Sequence, residues 1–327
     1  MRKIVAFLIV LSFLAACKGK KANEGVMSEQ KLDEINTKAE MDYAKLSGTW
    51  KWDSVYQTGL QYCYGTVWAG DRLLISNYGG ETLDPLGISG NGFIMQLKDG
   101  VLSEYIPKGM GLNSPKGMAV KDDYLYVADV NCILVFNMKD LKAKPQVIAF
   151  PENNLFVSDL AFRDNFLYAS VRDAGLIYFM EITDPTKISQ STPDIGIPTV
   201  SGPNGITIYK DTMFICSYPV AEIGKDNSIY MVNNLLDLNP MLYKLESLPG
   251  YYCGIQYDPV SRMVYYTDGI NGQLRSIDMN EQTNNNQLLL PEKVLLSPQM
   301  LTLANGKLYV PDVDASKLYV FTIPVKK

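Results

Sequence analysis

The sequence predicts an all-β fold, and three observations predict it. First, short apolar or aromatic runs alternate with Asp, Asn and Gly clusters, the mark of antiparallel strands and tight turns. Second, the pattern repeats: aligned on the turn before the first strand, six copies begin at Tyr64-Gly65, Lys116-Gly117, Ser158-Asp159, Asn204-Gly205, Cys253-Gly254 and Gln299-Met300. The second members of these pairs are 52, 42, 46, 49 and 46 residues apart. Third, the last copy stops one strand short, while a strand-like stretch without a partner stands before the first.

Each copy supplies its strands in the same order. In the second copy they are Met118-Ala119-Val120, Tyr124-Leu125-Tyr126-Val127-Ala128 and Ile133-Leu134-Val135-Phe136, with room for a fourth at Gln146-Val147-Ile148-Ala149-Phe150. In the fifth copy Gln287-Leu288-Leu289-Leu290 has the fourth place. A four-stranded sheet cannot bury both faces alone, so such units stack around an axis. The period and strand count are those of propeller blades. The sixth copy ends after its third strand, and an unpaired edge there would invite association. The stretch Trp50-Lys51-Trp52-Asp53-Ser54-Val55-Tyr56 is expected to supply the missing outer strand and close the ring. The prediction is therefore a six-bladed β-propeller over residues 49–327.

Residues 1–16 read as a leader. Arg2-Lys3 is its positive start and residues 4–14 its apolar core; Leu14-Ala15-Ala16-Cys17 resembles the lipobox of bacterial lipoproteins. Cys17 is then the lipidated N-terminus of the mature chain, which is anchored rather than spanning. Residues 17–48 are read as a polar tether followed by a helix over 28–46, capped by Ser28 and ended by Gly48. The basic Lys18-Gly19-Lys20-Lys21, in place of the acidic run of some surface-exported lipoproteins, points to the periplasmic side of the outer membrane. Residues 84–92 form a long glycine-bearing turn with no helix after it, so they make no phosphate cradle. Residues 183–202 are a Pro-rich passage between blades three and four, and residues 281–286 an Asn-rich turn.

Composition excludes several functions. Formal charge is −5 and no Lys/Arg stripe exists, so nucleic acid is not an expected partner. Histidine is absent, which removes Ser-His-Asp and Cys-His nucleophilic systems, His-ligated zinc and His general bases. Cys63, Cys132, Cys216 and Cys253 lie in four different blades without CxxC spacing. The compartment permits disulfides, and Cys216 reads as a buried apolar filler.

In a propeller the innermost strands start at one mouth of the channel, and the loops between second and third strands open on the same face. The channel-start positions are Tyr64, Lys116, Ser158, Asn204, Cys253 and Gln299. The surrounding loops offer Asn77, Tyr78, Asp129, Asn131, Arg172, Asp173, Tyr218, Glu222, Asp268, Asn271, Asp312 and Asp314, many of them ordinary turn formers. The candidate ligand-binding set is Tyr64, Lys116, Asp159, Arg172, Asn204, Asp268 and Gln299. A cation beside a channel needs a counter-charge. For Lys116 and Arg172 this is an internal pair with Asp129, Asp159 or Asp173, or an anionic ligand.

Ser114-Pro115-Lys116-Gly117-Met118-Ala119-Val120 with Leu125-Tyr126-Val127-Ala128-Asp129, and Gly202-Pro203-Asn204-Gly205-Ile206, resemble the six-bladed propellers of the NHL-repeat and SMP-30/gluconolactonase/LRE-like superfamily. The resemblance covers residues 50–327. Its lactonase branch implies a divalent metal, often calcium, held at the channel mouth by a Glu, Asn residues and an Asp. Asn204 matches the Asn of the Pro-Asn-Gly motif, but Tyr64 stands where the Glu is expected and Cys253 where the Asp is expected. One amide oxygen does not hold a hard dication, and Lys116 would repel it. The expectation is a membrane-anchored propeller, without a cofactor, that binds a small molecule, carbohydrate or protein partner on its channel face. The alternative is a metal-dependent hydrolase of lactones or phosphoesters with a rearranged site around Asn204.

Overall fold

A computed structural model describes residues 51–151, 155–188, 194–195, 200–218, 227–235, 240–246, 250–280, 286–290 and 294–323. The leader, Cys17 and the helix expected over 28–46 lie outside the described residues, as does Glu222. The described residues form six four-stranded antiparallel sheets and no α-helix. They comprise β2(Cys63–Ala69) to β5(Val101–Ile106), β6(Met118–Lys121) to β9(Gln146–Ala149), β10(Val157–Arg163) to β13(Asp194–Ile195), β14(Pro203–Tyr209) to β17(Met241–Lys244) and β18(Tyr252–Asp258) to β21(Asn286–Leu288). The sixth sheet runs β22(Thr302–Ala304), β23(Lys307–Asp312), β24(Lys317–Thr322) and then β1(Lys51–Tyr56). The first of the described strands thus closes the last blade. This is a six-bladed β-propeller.

Closure is specific in register. Trp52 pairs with Phe321 and Ser54 with Val320, and the bulge between them takes Asp53 out of the ladder. The Asp53 carboxylate accepts from Thr322 Oγ1 at 2.6 Å and from Lys307 Nζ at 2.5 Å. The two ends of the propeller are joined by main-chain bonds and by this exposed polar clasp.

Burial peaks in the second strands, and the strand sequences follow it. The outer β17 is exposed along its length, whereas second strands such as β3(Arg72–Asn77) and β11(Phe166–Val171) are buried at all but their first residue. A second strand has a blade against each face, so alternate side chains feed different cores. In β7(Tyr124–Ala128), Leu125 and Val127 pack with Leu74, Ile94 and Ile106 of the first blade. Tyr126 and Ala128 pack with Leu160, Leu167 and Ala169 of the third. In β24, Leu318 and Val320 face the first blade while Tyr319 and Phe321 face the fifth. Each fully buried aliphatic contributes about 1.5–3 kcal/mol of transfer free energy, so the strand period of two builds both walls at once.

Two readings of the sequence change. The Pro-rich passage 183–202 contains the fourth strand of blade three, β13, reduced to two residues. In blade five the ladder ends at Leu288; Leu289 and Leu290 turn inward and are buried at 3% and 0% exposure.

Candidate functional site

The six channel-start residues form a closed ring, blade to blade. Met300 N–H donates to Tyr64 O at 3.1 Å, and Gly117 N–H to Ser158 O at 2.9 Å. Ser170 Oγ donates to Asn204 O. Asn204 Nδ2 donates to Tyr252 O at 3.3 Å, and Thr267 Oγ1 to Gln299 O at 2.9 Å. Ser76 Oγ donates to Lys116 O at 2.7 Å and completes the circle. Tyr64, Lys116, Ser158, Asn204, Cys253 and Gln299 are all buried. The following glycines permit this approach: a Cβ at Gly65 would fall on the Lys116 carbonyl, and one at Gly205 on the Cys253 carbonyl.

Above this ring a second layer is built the same way in several blades. The residue two before the channel start accepts a main-chain bond from the residue that follows the second strand. The pairs are Tyr62 with Tyr78 at 3.3 Å, Phe156 with Arg172 at 3.1 Å, Gly202 with Tyr218 at 2.7 Å and Tyr251 with Gly269 at 2.9 Å. Tyr62, Phe156 and Gly202 hold φ of 52°, 64° and 56° there. Glycine adopts this left-handed region freely, but an aromatic residue does so at a cost. The strained backbone of Phe156 turns its ring into the mouth.

A cation and aromatic cluster results. Tyr64 and Tyr78 stack with centroids 5.3 Å apart, and Phe156 meets Tyr64 edge-on at 6.3 Å. Arg172 Cζ lies 3.4 Å from the Phe156 centroid and 5.2 Å from that of Tyr218, which contacts Tyr251 at 5.5 Å. Lys116 Nζ lies 4.6 Å from the Phe156 centroid and 5.7 Å from that of Tyr78. Blades one to five meet here. Burial pushes the Tyr64 and Tyr78 phenols well above their usual range. Burial, reinforced by the Arg172 charge, lowers Lys116 to about 7 despite Asp129 nearby.

The seven sequence-chosen residues divide. Tyr64, Lys116 and Arg172 are brought together in the cluster. Asn204 and Gln299 sit in the ring below it, with Gln299 Nε2 donating to Ser297 Oγ at 2.9 Å. Asp159 caps main chain, accepting from Leu160 N at 2.9 Å and Ile206 N at 3.0 Å; burial raises it to about 7. Asp268 clamps its own turn, accepting from Asn271 N at 3.1 Å and Asn271 Nδ2 at 2.7 Å. Asp129 accepts the amides of Asn113, Ser114 and Val130, and Asp312 those of Leu296, Ser297 and Ala315.

The internal ion pair expected for the cations forms at Arg172, whose Nε donates to Asp173 Oδ1 at 2.9 Å. It does not form at Lys116, whose ammonium donates to Ser114 O at 2.9 Å and otherwise faces rings. Asp129 and Asp159 are occupied by main-chain amides and Asp173 by Arg172, so none pairs with it. Phe156 is the site residue that the sequence reading missed. Its alignment with Gly202, two positions before the channel start, is the signal that marks it.

The four described cysteines are free. Cys216 is fully buried, and its thiol donates to Gly254 O at 3.3 Å. Burial and Asp268 push the Cys253 thiol up to about 12, so it is neutral in the metal-free chain. No group of three or more His, Cys, Asp or Glu among the described residues is placed to hold a metal ion. With Tyr64 and Cys253 at two ligand positions and Lys116 in the same ring, these residues do not fit the divalent metal that the lactonase resemblance implies.

Fold and site together define a six-bladed propeller with an aromatic, cation-bearing channel mouth, an architecture consistent with a binding role. No protein-family model matches the sequence, and no curated protein does. Solved structures match in large number, 762 chains, as expected of a widely used architecture. One is a chain of the nidogen/laminin complex, with a TM-score of 0.55 and 14% identity, covering 73% of this chain and 92% of that one. At that identity the likeness establishes the fold.

Proposed function

We propose that the protein is a binding propeller, tethered to the outer membrane through a lipidated Cys17 and facing the periplasm, that holds a small molecule, carbohydrate or protein partner on its channel face. One observation carries this reading. Tyr78 Oη and Asn204 Oδ1 are buried around the channel without a hydrogen-bond partner among the described residues. A buried polar atom left unpaired costs about 1–3 kcal/mol, and a bound group that supplies its missing partner recovers that energy. A chain of the nidogen/laminin complex has the same fold, which agrees with a binding role. The Leu14-Ala15-Ala16-Cys17 sequence supports the anchor. The hydrolase alternative is disfavoured because the Asp268 carboxylate is already engaged by Asn271.

Two measurements test this. Calorimetric titration of the full chain with calcium is expected to give no specific heat; tight binding lost in Asn204→Ala would establish the metal-dependent hydrolase instead. Mass spectrometry of the mature N-terminus is expected to find diacylated or triacylated Cys17. An unmodified residue there would remove the membrane tether.

A further inference from the structure

We propose that the channel mouth is built for a small planar carboxylate, held by the Lys116 ammonium and the Arg172 guanidinium and walled by the rings of Phe156, Tyr64 and Tyr78. This rests on the channel face being the binding surface, and it adds the chemistry of the ligand.

The Lys116 side chain belongs to a residue with 0% exposure. It has one acceptor, Ser114 O at 2.9 Å, and no carboxylate in ion-pair contact among the described residues. A buried charge without a counter-charge is costly. The neighbouring carboxylates are committed elsewhere: Asp129 and Asp159 to main-chain amides, Asp173 to Arg172 Nε. A second cation compounds the problem, since Arg172 stacks on the same Phe156 ring. Asp173 occupies the Nε of Arg172, and its Nη groups make no hydrogen bond among the described residues. A guanidinium edge binds a carboxylate through paired N–H donors, whereas an ammonium acts as a point charge. Tyr78 Oη adds a buried O–H with no acceptor among the described residues. These donors call for a planar acceptor of one negative charge, and the stacked rings provide flat apolar walls for its body.

The test uses calorimetry on the full chain, with benzoate, pyruvate and inorganic phosphate as probes. At about pH 6, where Lys116 carries its proton, benzoate or pyruvate is expected to bind. Binding should weaken about thirtyfold by about pH 8.5, because burial and the Arg172 charge lower Lys116 to about 7 against the opposing effects of Asp129, Asp173 and Cys132, so that it loses its proton over this range. Lys116→Met, similar in volume, should abolish binding. Arg172→Gln, at a partly exposed position, should weaken it about tenfold or more. It serves as the second variant if Lys116→Met does not fold. The inference is overturned if neither carboxylate binds, if phosphate alone binds, or if both variants bind as the parent does. A different ligand lost on Tyr218→Ala, with no carboxylate binding, would sink the carboxylate assignment while leaving the binding propeller intact.

Discussion

The guanidinium carbon of Arg172 stands 3.4 Å from the centre of the Phe156 ring, within stacking distance. The same ring carries the Lys116 ammonium at 4.6 Å. One aromatic side chain, on a backbone at φ 64°, thus holds two cations of neighbouring blades. A cation–π contact is worth about 0.5–2 kcal/mol, more where water is excluded. A double-mutant cycle with Phe156→Leu and Arg172→Ala, followed by denaturant unfolding, is expected to give a coupling of about 1–2 kcal/mol. Additive losses would mean that the two side chains do not support each other.

The blade spacing at the axis depends on glycine at particular positions. A Cβ at Gly65 would strike the Lys116 carbonyl, which is main chain and cannot swing away. Gly65→Ala is expected to destabilise by about 3 kcal/mol or more through forced separation of blades one and two. Gly70→Ala is the comparison. Nothing lies within 4 Å of its Cβ, so only its φ of +68° is paid, about 1 kcal/mol. Equal losses at the two sites, by thermal or denaturant unfolding, would contradict the close-approach explanation.

Much of this was legible in the sequence. The six paired residues that start the blades, from Tyr64-Gly65 to Gln299-Met300, mark the ring because a channel-start position recurs in phase, followed by Gly in four of the six. The closing strand was legible because a sheet edge left open at β24 demands a partner. Lys116 and Arg172 stood out as cations at a channel. The ammonium's lack of a carboxylate was not legible, because side-chain composition does not reveal that Asp129 is filled by three main-chain amides. Phe156 read as one more apolar residue, since an aromatic at positive φ runs against local preference. A two-residue strand such as β13 has too few residues to show a period.

Hydroxyls on second strands tie neighbouring blades. Thr267 Oγ1 accepts from Gly254 N at 2.8 Å and donates to Gln299 O at 2.9 Å, joining blades five and six. Thr267→Val keeps the shape and removes both bonds, leaving a buried amide and a buried carbonyl unpaired. A loss of about 1–3 kcal/mol is expected for each such group. Thermal unfolding of the Val variant, with Thr267→Ser as a control that keeps the hydroxyl, checks it. A Val variant as stable as the parent would show that the bridge is dispensable.

Asp159 and Lys116 titrate near neutrality from opposite directions, and their effects on stability have opposite slopes. Burial raises Asp159 from 3.8 to about 7. Across that window the folded chain keeps a proton that the unfolded chain gives up, so the Asp159 contribution to stability falls as pH rises. Burial lowers Lys116 from 10.5 to about 7. Across the upper window the folded chain has lost a proton that the unfolded chain keeps, so the Lys116 contribution rises with pH. Either slope is at most about 1.4 kcal/mol per pH unit. Denaturant unfolding over a pH series, taken as parent minus variant, cancels the other titrating groups. The difference against Asp159→Asn is expected to decline from about pH 4 to about pH 7. The difference against Lys116→Met is expected to climb from about pH 7 to about pH 10. A flat or reversed difference for either residue would mean that its charge is solvated in the folded chain, and for Lys116 it would remove the unpaired cation around which the mouth is built.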